Sequence, residues 1–136
     1  METVTRIGVS LEPELLRSLD NIIKSEGYTN RSEAIRDIIR KKLIETEWKE
    51  DKSTVVGTIT MVYDHEIGNV ANKLLHIQHE KHANILASTH IHIGEHKCLE
   101  VITMQGKAKD IRKLADRLKA IRGVLHSELV TTSKTI

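Results

Sequence analysis

The sequence predicts an α+β chain in two parts: a strand-helix-helix segment, then a domain alternating in the order β-α-β-β-α-β. Three observations predict this. Residues 6–11 alternate apolar and polar before two stripes of helical spacing; strand-like and helix-like runs then alternate over residues 55–132; and the interval between, residues 45–53, is polar apart from Trp48. The boundary is placed between residues 1–50 and 51–136.

In the first part, Ile7, Val9 and Leu11 share one face of a short strand and Arg6, Gly8 and Ser10 the other. Pro13 suits a first helical turn, and Leu15, Leu16, Leu19, Ile22 and Ile23 follow at helical spacing until Gly27. Asn30 with Glu33 three residues on resembles a capping box, leading into a stripe of Ala34, Ile35, Ile38, Ile39 and Leu43. A lone strand leaves both edges unpaired, and a segment of about 50 residues buries little surface alone. Two copies pairing their strands antiparallel over four helices would solve both problems. That arrangement resembles the ribbon-helix-helix fold, whose two-stranded ribbon enters the DNA major groove. Residues 45–53 (ETEWKEDKS) read as a linker or a frayed continuation of the second helix.

In the second part, residues 55–63 read as a strand and Asp64 as the N-cap of a helix over about 66–79. Strands are expected at about 84–93 and 97–105 with Gly94 in the turn, a helix at about 107–121 ended by Gly123, and a last strand at 124–132. This order is the ferredoxin-like or ACT-type topology, which hosts many functions and decides none.

Composition narrows the classes. Of the 136 residues, 39% are hydrophobic and 29% charged, as in ordinary globular proteins. No Phe, one Trp and two Tyr leave an aliphatic core and few platforms for stacking single-stranded bases. The net charge of +2 identifies no nucleic-acid partner by itself. No apolar run approaches the ~20 residues that span a bilayer, and no signal-peptide core is present, so no membrane association and a cytoplasmic location are expected. The one cysteine forms no internal disulfide.

Six of the eight histidines lie between His76 and His96. His90 and His92, two apart on a strand, point to one face. Cys98 on the next strand returns beside them around Gly94 and Glu95. Two imidazoles and a thiolate converge there, with His79 near the end of the preceding helix as a fourth candidate, from the same or a neighbouring subunit. Such ligands do not suit Mg²⁺ or Ca²⁺ and leave nickel, copper and zinc open. An enzymatic reading finds no vacant metal position once four protein groups are counted, and no phosphate-cradling glycine loop.

The order NRSEAIRD (30–37), IQHEKH (77–82), HIH (90–92) and CLE (98–100) resembles the nickel-responsive transcriptional regulators of the NikR family over nearly the whole chain. The resemblance implies a Ni²⁺-responsive repressor of nickel-uptake genes, not an enzyme. It implies nickel held in a square plane by His90, His92 and Cys98 of one subunit and His79 of another, within a homotetramer built as a dimer of dimers. Glu100 matches a carboxylate that orients a ligating imidazole. Arg6, Gly8 and Ser10 match the base-reading positions on a double-stranded operator of inverted half-sites, with Gly8 departing from the usual polar residue. Asn30, Arg31 and Ser32 are backbone-phosphate candidates. Glu33 and Asp37 match carboxylates that hold a second cation, and His76 and His82 are accessory metal candidates. His96 is also placed to touch excess metal, while His65 and His126 read as structural.

Overall fold

A computed structural model describes residues 3–79 and 84–136. Its elements are α1 (Pro13–Glu26), α2 (Arg31–Lys49), β1 (Thr54–Asp64), α3 (Val70–Gln78), β2 (Asn84–His92), β3 (Lys97–Lys107), α4 (Ala108–Lys119) and β4 (Val124–Thr132). The chain divides into two compact units, Met1–Lys41 and Lys42–Ile136.

In the first unit, α1 opens on Pro13 and closes at Gly27, whose φ of 77° lets its N–H reach the Ile23 carbonyl. Asn30 caps α2 by accepting from the Glu33 N–H at 2.9 Å, and the Glu33 carboxylate reaches back to the Thr29 N–H at 2.9 Å. The expected strand at 6–11 forms no ladder within the chain: strand pairing needs a second edge, and this unit supplies none. Ile7, Val9, Leu15, Ile38 and Ile39 are exposed, and Ala34 alone is buried among the described residues of this unit.

The second unit is a four-stranded sheet in the order β2-β3-β1-β4, every neighbouring pair antiparallel. Alternate residues of β1 (Val55, Ile59, Met61, Tyr63) and β3 (Cys98, Ile102, Met104) join one core with Val70, Leu74 and Ile77 of α3 and Ile111, Leu114 and Leu118 of α4. On the opposite face Ile91 and Val130 remain exposed.

One expectation needs correcting. The helix placed at 66–79 begins at Val70, because Asp64 accepts from the Glu66 N–H in a tight turn and Gly68 adopts φ 53°, so Asn69 is the N-cap. Of the two readings of residues 45–53, the continuation of the second helix holds as far as Lys49, where α2 ends; Trp48 is buried, and its indole N–H donates to the Thr132 carbonyl at 2.9 Å.

Candidate metal centre

The β2–β3 hairpin sets the site. Its register places His92 opposite Cys98 and His90 opposite Glu100, while β1 places Tyr63 opposite Cys98 from the other side. Facing residues of an antiparallel pair project to the same side of the sheet. His92 Nδ1 therefore lies 3.5 Å from Cys98 Sγ, and the His90 and His92 rings are 5.3 Å apart. Cys98 is buried at the floor and the imidazoles stand exposed at the sheet's edge strand.

His65, just past β1 and expected to be structural, instead joins His92 and Cys98 in one group among the described residues. Its N–H donates to the His96 carbonyl at 2.9 Å, and its ring stands 6.0 Å from that of His92. Ligand atoms of His65, His92 and Cys98 all lie within 4.8 Å of one another. With metal–nitrogen and metal–sulfur bonds of roughly 2.0–2.3 Å, such spacing is compatible with one shared cation.

His90 lies at the rim of this group, its Nε2 3.4 Å from the Tyr63 hydroxyl. Burial, then the nearby Glu100 and Cys98, push the Tyr63 pKa up to about 12, so the phenol stays protonated at neutral pH. It can then donate to His90 in the tautomer that leaves Nε2 bare. His79 is the exposed C-cap of α3 and is not among the three clustered ligands. His76 is exposed on α3. His96 pairs with Glu66 at 3.0 Å, and His82 lies outside the described residues. The hydrogen bonds of Glu100 go to Gln78 (3.1 Å) and Ser88 (2.8 Å) rather than to an imidazole. The nitrogen-and-sulfur donor set fits a borderline divalent transition metal.

Among the DNA-reading candidates, Arg6, Gly8 and Ser10 are exposed, and a side chain added at Gly8 would meet open space. Arg31 is forked onto Asp20 at 2.9 and 3.0 Å, which holds that carboxyl below its ordinary range. Ser32 is exposed in the first turn of α2. The Tyr28 hydroxyl and Lys41 engage Asp37, and both lower its pKa; the Thr29 backbone N–H lowers that of Glu33.

Residues 56–132 match the model of the NikR C terminal nickel binding domain, and residues 5–46 that of the ribbon-helix-helix protein, copG family. A Pyrococcus furiosus protein named as a nickel-responsive regulator is 50% identical over 130 residues, 96% of this chain and 94% of its own. One from Caldanaerobacter subterraneus subsp. tengcongensis, named likewise, is 44% identical over 133 residues, 98% and 86% of the two chains. Among solved structures, the ACT domain from the GTP pyrophosphokinase of Chlorobium tepidum superposes with a TM-score of 0.51 at 14% identity. It covers 57% of this chain and 99% of its own, a likeness of fold.

Proposed function

The chain belongs to the nickel-responsive regulators that join a ribbon-helix-helix segment to an ACT-like nickel-binding domain, and on that premise we propose how it senses and acts. It is a DNA-binding regulator rather than an enzyme, and its metal is nickel. In our reading His90, His92 and Cys98 of one copy and His79 of another hold the ion in a tetramer made of two dimers. The occupied protein represses nickel-uptake genes when nickel is plentiful.

The observation that carries this reading is the 3.5 Å approach of His92 Nδ1 to Cys98 Sγ, with His90 beside them on the same face. Bound there, nickel would supply a positive centre for these imidazoles and the thiolate, and His79 of another copy would join a helix of that copy to this sheet. The exposed Ile7 and Val9 support pairing of two N-terminal strands, which would present Arg6, Gly8 and Ser10 to base edges and Asn30, Arg31 and Ser32 to phosphates. Response to the ion requires that the DNA-competent arrangement bind it more tightly than the free one, since equal affinity shifts nothing. A second cation at Glu33 and Asp37 would have to displace Lys41 from Asp37.

Replacing Cys98 with Ala should abolish nickel-dependent binding to a palindromic promoter fragment; a full response in C98A overturns the reading. The His65, His92 and Cys98 group favours a second reading, in which the cation is held within a single copy. H65A separates the two, losing nickel only if His65 is a ligand.

A further inference from the structure

Glu100 lies two residues beyond Cys98 on the face of β3 that meets the helices. Its side chain is buried, 8% exposed, and one carboxylate oxygen takes two hydrogen bonds, from Gln78 Nε2 on α3 and from Ser88 Oγ on β2. A buried carboxyl group is costly unless hydrogen-bond partners surround it, and here both partners come from other elements. Gln78 is therefore held firmly.

Its place in the chain gives that bond a consequence. Gln78 is the last residue of α3 and His79 the next, the backbone N–H of His79 still bonding to the carbonyls of Leu75 and His76. At nine residues α3 is too short to be stable by itself, and its apolar grip comes from Val70, Leu74 and Ile77. In its final turn the Gln78 amide adds a directional tie to the ligand-bearing sheet. We infer that Gln78 is a positioning residue for the metal centre. By fastening the end of α3 to Glu100 it fixes where His79 is presented, so the same carboxylate registers the helix against the strand that carries Cys98. The inference rests on the reading of His79 as a ligand.

The test uses the full-length protein, with nickel affinity measured by chelator competition and the thiolate-to-nickel absorption recorded at saturation. Loss of a partner that bonds a ligand directly typically costs about 10–100-fold in metal affinity, and Gln78, which fastens the residue beside the ligand, is expected at the lower end of that range, about tenfold. Q78L should fall in that range yet recover the parent spectrum at saturating nickel, because every ligand remains; H79A should lose affinity and change the spectrum. Exchanging the two partners, Q78E with E100Q, rebuilds an amide-to-carboxylate bond and should recover affinity to within about threefold of the parent. Parent-like affinity in Q78L beside a weakened H79A overturns the positioning role alone. An exchanged pair as weak as Q78L also overturns it. Parent-like affinity and spectrum in H79A sink the ligand assignment, and the positioning role with it.

Discussion

Gly57 and Trp48 allow a packing test in which the sign of the result decides. Gly57 lies inside β1 with no positive φ, so its backbone suits alanine. On conformational entropy alone, G57A should stabilise the fold by about 0.4–1 kcal/mol. The structure opposes this. A Cβ at Gly57 would sit 3.1 Å from Trp48 Cη2, 3.2 Å from Cζ2 and 3.2 Å from the Val130 carbonyl oxygen. Comfortable carbon contacts need about 3.5–4.0 Å, so something must move by several tenths of an ångström. The carbonyl belongs to β4, paired along β1, and the indole is buried and tethered to Thr132, so neither yields freely. Over-packing of this kind costs roughly 1–3 kcal/mol, which outweighs the entropic gain. Trp48→Ala should itself cost about 3–5 kcal/mol, and in that background G57A should lose most of its penalty. Urea unfolding of the metal-free protein at fixed concentration, followed by far-ultraviolet circular dichroism, reads all four combinations. A stabilised G57A, or an equal penalty with and without the indole, would refute the packing argument.

Three further outcomes are expected. Because the Tyr63 pKa is raised from 10.0 to about 12, the folded state favours the protonated phenol; its contribution is complete below pH 10 and is lost as pH climbs through 12. Denaturation followed by Trp48 fluorescence should show a slope of up to about 1.4 kcal/mol per pH unit in that window, flattened in Y63F. Asn30→Ala should weaken the start of α2 by about 0.5–2 kcal/mol, visible as faster hydrogen exchange at the Glu33 amide, with the second unit unaffected. Under the proposed DNA reading, Arg6→Ala should cost about 1–3 kcal/mol of nickel-dependent operator affinity and relax the preference at one base pair, measured by titrating singly substituted operators.

What the sequence revealed depended on the range of the interactions. His90, His92 and Cys98 belong to one hairpin, where period-two geometry and a short turn decide which side chains meet, so their convergence was readable. The amphipathic stripe of α4, with Ile111, Leu114 and Leu118 inward, was readable for the same reason. His65 was not. Its place beside His92 follows from β1 pairing with β3, a contact between strands far apart in sequence, and no local pattern encodes that choice. The burial of Trp48 was not legible because its neighbours are charged; it depends on Gly57 and Thr132, both remote. The start of α3 shifted because Asp64 serves a turn as readily as a cap, and only the φ of Gly68 settles which.

The two units differ in how completely each satisfies itself, and that difference bears on control. The second unit closes a core between its helices and one face of its sheet, with the buried carboxylate of Glu100 hydrogen-bonded within it, while Ile91 and Val130 on the other face stay exposed. The first buries only Ala34 among its described residues while Ile7, Val9, Ile38 and Ile39 remain in water. Apolar surface left exposed at about 25 cal/mol per Å² is a standing drive toward association. A metal signal in the proposed scheme therefore need not refold the domain that receives it. It need only favour one arrangement among copies whose N-terminal segments would pair under that scheme. In that scheme His79, presented at the end of α3, is the ligand that would couple one copy to another, whereas the hairpin would supply its three ligands from within a single copy.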